Sequence, residues 1–170
     1  MITTAPRKTP IHTRPFFRVL VAVQLLAMVA VTGLRLSAGG GWVLLWFIFG
    51  GFLVVFAPSV AAVSAALSVM VTPGRRACAA LAAAFVIVYG SLLIAAATVP
   101  DYLDVADQNG VPIVTGLVTN AEAEVYRQIA DIAVYVHLIS VVATVALALT
   151  IASRSNAGGA GRAFAQGAAR

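Results

Sequence analysis

The chain has 170 residues, of which 61% are hydrophobic and 10% charged, with a net charge of +5. Soluble domains carry about 25% charged residues, and a domain of this length has too small an interior to hide so much apolar surface from water. An ordinary water-soluble domain is therefore excluded, and the expected fold class is an all-α membrane protein, a four-transmembrane-helix bundle. The positive charge does not point to nucleic acid. Its basic residues lie in short pieces between apolar runs, without zinc-finger spacing, a basic zipper or an aromatic RNA-binding stripe. The single cysteine, Cys78, excludes an intramolecular disulfide and reads as a small inert thiol. One lysine against ten arginines, with abundant alanine, glycine and valine, suggests a GC-rich bacterial genome.

Residues 1–15 form a basic segment ahead of the first apolar run, which extends from Phe16 to Leu34 inside a helix expected over 16–36. Nineteen residues at ~1.5 Å each span about 28 Å, enough to cross a hydrocarbon core. The second helix is expected over 42–71. At about 45 Å it exceeds one bilayer, so it should tilt, bend at Pro58 or project into the interface. Thr72-Pro73-Gly74-Arg75-Arg76 reads as a tight turn into a third helix over 77–99. A fourth is expected over 120–152, entering the membrane near residue 129. Residues 153–170 are Gly- and Ala-rich with scattered arginine, and read as a flexible basic tail that can rest on anionic lipid.

Orientation follows the basic residues. Eight of the 11 lie before the first run, between the second and third, or after the fourth; Arg18, in the opening turn of the first run, makes nine, and an even number of crossings puts these on one side. Arg35 and Arg127 are left for the other side, with all six acids between Asp101 and Asp131. Both termini are thus expected in the cytoplasm and the chain in the cell membrane, with an acidic extracytoplasmic loop over 100–128. A cleaved leader is disfavoured: the apolar stretch is long for a signal core, and Leu36 suits a cut after Ser37-Ala38 poorly.

In that loop Asp101, Asp104 and Asp107 recur every third residue and are cation candidates, although an EF-hand register anchored on Gly110 loses two key ligands. Gln108-Asn109-Gly110 is a turn signal, and the β-branched stretch from Val111 to Val118 predicts a strand and a small hairpin. Thr119 with Glu122 reads as a capping box opening the fourth helix.

Within that helix Asp131 has Arg127 one turn before it, at ion-pair spacing. His137, Ser140 and Thr144 fall on one face and can serve either as a pathway or as interhelical polar contacts. His12 precedes the first helix, so a haem held by two histidines is disfavoured, and no cofactor is expected. Gly50, Ala57, Ala61, Ser64 and Ser68 mark a small-residue helix-packing face on the second helix, beside an interfacial pair, Trp42 and Trp46.

No P-loop, dinucleotide fingerprint, HExxH or GxSxG occurs. The leading expectation is a non-catalytic accessory or scaffold subunit acting through helix association, its partners being membrane lipids and a protein partner or a second copy. The alternatives are a small homo-oligomeric transporter or channel, and a membrane-embedded enzyme acting on lipid or quinone.

Overall fold

A computed structural model describes residues 13–37, 41–69, 74–103, 106–114 and 116–167, with the side chains of 13, 14, 17, 68, 69 and 155–167 outside the description. The described chain is mostly helical, and four helices are long and apolar enough to cross a membrane: 18–36, 42–67, 75–98 and 120–154. In chain order the elements are α1 (Thr13–Leu36), α2 (Trp42–Trp46), a π-helical turn (Phe47–Gly51), α3 (Phe52–Val69), α4 (Arg75–Thr98), β1 (Asp101–Tyr102), β2 (Asn109–Gly110), β3 (Leu117–Val118) and α5 (Asn120–Gly167).

The second apolar run breaks at Gly50 and not at Pro58, the bend that the sequence offers beside a tilt or a projection into the interface. Gly50 adopts φ 134° inside the π-helical turn, a conformation that a side chain opposes and glycine tolerates. Pro58 lies within continuous α3. The turn brings Phe47, Phe52 and Phe56 edge to face, with centroids 4.7 to 6.2 Å apart. Phe47 and Phe56 are buried with Val31 of α1 and Leu92 and Ala96 of α4. A second core joins Leu20 and Ala27 of α1, Ala62 and Ala66 of α3, Phe85 and Val88 of α4, and Val141 of α5. Alanine at so many of these contacts lets helix backbones approach closely. Many large apolar side chains face outward, Phe49, Val29 and Ile139 among them, as lipid-facing helices require and water does not tolerate in such number.

The small-residue face predicted on the second helix is turned away from the other helices. Ala57, Ala61 and Ser64 are exposed, while Phe56, Ser59, Ala62, Val63 and Ala66 make the contacts within the chain. The side chain of Ser68 lies outside the described residues. A helix apolar all round gives no periodic signal of which side is buried. The kink at Gly50 also breaks the single wheel on which that face was read.

Between α4 and α5 the chain forms a three-stranded antiparallel sheet, order β1-β2-β3, pairing Asp101 with Gly110 and Asn109 with Val118. Asn109-Gly110 is thus a strand, and the predicted strand over 111–118 shrinks to its last two residues. Asp107 takes the turn conformation instead, at φ 56°, which Asp accepts more readily than most residues. Its carboxylate receives the Asn120 N–H at 2.9 Å, and the buried Asn109 amide donates to Asn120 Oδ1 at 2.7 Å. The capping box forms as spaced: the Thr119 N–H meets Glu122 Oε2 at 2.9 Å, and the Glu122 N–H meets Thr119 Oγ1 at 3.3 Å. At its far end α5 continues helical through the predicted tail to Gly167. Alanine there favours helix and no proline interrupts it.

Asp101 ties the loop to the helices. It is fully buried and accepts hydrogen bonds from the backbone N–H groups of Val43 at 2.8 Å and Leu44 at 3.1 Å. It therefore caps α2 from 58 residues away, a remote substitute for the side chain that the α2 N-cap, Gly41, lacks. A Cβ at Gly41 would collide with the Asp101 carboxylate and the Tyr102 carbonyl, so glycine is what admits the carboxylate. We expect Asp101→Ala to destabilise the protein by about 2 kcal/mol, since two helix-start donors lose their acceptor. Gly41→Ala should weaken the same contact. Thermal unfolding in detergent, against an exposed control such as Gln108→Ala, checks both.

Candidate functional site

The residues with chemical potential fall into three places. On α5, Arg127 bridges Glu124 at 2.6 Å and Asp131 at 3.0 Å, all three largely exposed. Asp131 is therefore apart from the polar stripe that follows it. His137, Ser140 and Thr144 do share one buried face. The Ser140 hydroxyl donates to the His137 carbonyl at 2.8 Å and the Thr144 hydroxyl to the Ser140 carbonyl at 2.7 Å, so both are engaged by their own helix. His137 reaches outward, its Nδ1 lying 3.0 Å from the Val88 carbonyl of α4. A carbonyl only accepts, so Nδ1 carries a proton and the other ring nitrogen is Nε2. That nitrogen is buried and has no partner among the described residues.

The second place is a buried network that the sequence reading missed. Tyr89 of α4 donates its hydroxyl to Gln24 Oε1 of α1 at 2.9 Å, and Gln24 Nε2 donates to Ser59 Oγ of α3 at 3.2 Å. The Ser59 hydroxyl donates in turn to the Phe56 carbonyl at 3.0 Å. Three helices are joined by one amide. The available signal was Gln24 itself, the single amide in the first apolar run.

The third place is the loop end of the helices. Arg35, in the last turn of α1, is 4% exposed. Its Nη1 donates to the Val99 carbonyl at 2.9 Å, at the C-cap of α4. Nε and Nη2 of Arg35 are buried and have no partner among the described residues. These two nitrogens form one edge of the guanidinium, the fork that grips oxygen acceptors.

Arg35 and His137 line the same cavity, of about 330 Å³, whose other walls are apolar. Val31, Phe47, Pro58, Leu92, Ala96 and Val134 are among them, so all four apolar runs contribute. Ligand sites share this composition of apolar walls with a few placed polar groups. The sequence reading singled out His137 but not Arg35, whose partners lie 64 residues away.

The loop aspartates do not converge. Asp101 caps α2 and Asp107 caps α5, while Asp104 lies outside the described residues. Among the described residues no group of three or more His, Cys, Asp or Glu side chains is placed to hold a metal.

Replacing Tyr89 by Phe should lower stability by about 1 kcal/mol, the usual scale of an interhelical hydrogen bond in a membrane. The double variant Gln24→Leu/Tyr89→Phe should fall short of the sum of the single losses, because both changes remove one shared contact. Equilibrium unfolding of the four species of the cycle checks this. Comparison of the chain with protein-family models, curated proteins and solved structures finds no match.

Proposed function

We propose that the chain is a multi-pass protein of a bacterial cell membrane, a bundle of four transmembrane helices with both termini in the cytoplasm and the 100–128 segment outside. It acts as a non-catalytic accessory or scaffold subunit, by helix association. The observation that carries this reading is the exposed small-residue face of α3, Ala57, Ala61 and Ser64. Small side chains let a second helix approach closely enough for dispersion to hold it, which is how helices associate in lipid. The pore alternative has less support, since the hydroxyls of Ser140 and Thr144 are bonded to their own helix and Asp131 is paired with Arg127.

Gentle-detergent purification from the native membrane, with mass spectrometry of what accompanies the chain, tests the association. A stoichiometric partner or a discrete homo-oligomer is expected. Ala61→Phe should reduce its yield at least tenfold while leaving the fold intact, as outward substitutions usually do. A monomer that carries solute across liposomes would overturn the proposal. Orientation is tested separately in Cys78→Ala cells. A cysteine at exposed Gln108 should react with an impermeant maleimide in intact cells, and one at exposed Arg154 only after permeabilisation. The reverse pattern would invert the orientation.

A further inference from the structure

Exposed aromatic side chains gather at the loop end of this molecule. Among the described residues they are Trp42, Trp46, Phe49, Tyr102 and Tyr135, and the other described aromatic side chains are buried or half-buried. They come from α2, the π-helical turn, β1 and α5. Trp46 lines a cavity with Val134 and Leu138 of α5, so Tyr135, lying between those two and 68% exposed, stands at the level of Trp46. Asp101 receives the N–H groups of Val43 and Leu44, so Tyr102, its neighbour, stands at the level of Trp42. One helical turn, about 5.4 Å, separates Trp42 from Trp46. Two tryptophans and two tyrosines, distant in the chain, therefore share one shallow band.

We infer that this band is an interfacial girdle: Trp42, Trp46, Tyr102 and Tyr135 sit in the glycerol and ester-carbonyl layer of the outer leaflet and hold the bundle at a fixed depth. Such rings favour that layer because an apolar body meets hydrocarbon while the N–H or O–H meets polar groups. What lies on either side of the band fits. Towards the start of α5, Asp131, Arg127 and Glu124 form the exposed ion pairs. In the other direction every exposed side chain of α5 from Val136 to Leu149 is apolar. The next exposed charge on α5 is Arg154, nineteen residues past Tyr135 and about 28 Å of helix, against a hydrocarbon core of about 30 Å. Arg75 and Arg76 of α4 are exposed at that same end, where Leu81 packs with Ala148 of α5. Phe49, which has no polar group, follows Trp46 on the α3 side and belongs with the hydrocarbon. The inference rests on the membrane-spanning part of the proposed function and not on the association.

The test reads the depth of each indole. Trp42→Phe leaves Trp46 as the single tryptophan, and Trp46→Phe leaves Trp42. Each full-length variant is reconstituted in phosphatidylcholine vesicles whose acyl chains carry bromine, an indole quencher, near either the ester or the methyl end. For both tryptophans the shallow bromines should quench at least twofold more strongly than the deep ones. In the Trp46→Phe protein, adding Tyr102→Leu and Tyr135→Leu should bring the ratio for Trp42 down towards one, because the depth is no longer held. Both changes face outward, where substitutions usually spare the fold. An unchanged ratio would overturn the anchoring role, and if that variant does not fold, the two single-tryptophan proteins decide the question. Stronger quenching by the deep bromines would overturn the girdle, as would no quenching by either together with full access to aqueous acrylamide. Shielding from both bromine and acrylamide would mean that protein covers the band, and would overturn it too. Vesicle flotation and carbonate extraction separate these outcomes from a failure of the underlying reading. A chain that floats and resists carbonate yet gives one of those patterns fails the girdle alone, whereas a chain stripped by carbonate fails the membrane reading and the girdle with it.

Discussion

A helix leaves four N–H groups unpaired at one end and four carbonyls at the other, and where a helix end is buried each of these has to find a partner. At the loop end of this molecule two charged side chains meet that demand across the chain. Asp101, just beyond α4, gives its carboxylate to the first amides of α2. Arg35, finishing α1, gives a guanidinium N–H to the last carbonyl of α4. Each charge sits where the helix dipole favours it, the anion at an N-terminus and the cation at C-termini. The two contacts bind α1, α2 and α4 to one another and anchor the first strand of the small sheet, because Asp101 is also the residue paired with Gly110.

The cavity owes its shape to this arrangement. Arg35 is drawn in from the end of α1, and Phe47 is brought inward by the π-helical turn at Gly50. α5 supplies His137, fixed by its bond to Val88. The result is an apolar space lined by two side chains whose hydrogen-bonding capacity is only partly used. Elsewhere polar groups are consumed: Gln24, Ser59 and Tyr89 satisfy one another, and Ser140 and Thr144 bond to their own helix. Against that economy, Nε and Nη2 of Arg35 and Nε2 of His137 stand out as buried and without a partner among the described residues.

The acids of the loop show how a pattern in sequence can dissolve in space. Asp101, Asp104 and Asp107 recur every third residue and look like one cluster. Yet Asp101 turns inward to α2 and Asp107 turns to the start of α5, since a helix N-terminus attracts a carboxylate as a cation does. The small residues of α3 behave similarly. Alanines and serines were visible on two sides of the helix. Those at 59, 62 and 66 are buried in the chain and those at 57, 61 and 64 are not.

The sequence by itself determined the number of long apolar helices, because twenty or so residues without charge are a local property that lipid demands and water forbids. It also determined the start of α5, since the capping box is closed by two residues three apart. His137 was legible as a buried polar residue from its surroundings along one helix. The break at Gly50 in place of Pro58, the buried face of α3, the Gln24–Ser59–Tyr89 network and the meeting of Arg35 with His137 were decided by tertiary structure. Each depends on residues 35 to 102 positions apart in the chain or on the packing of helices that are apolar on every side. Local periodicity carries no information about either.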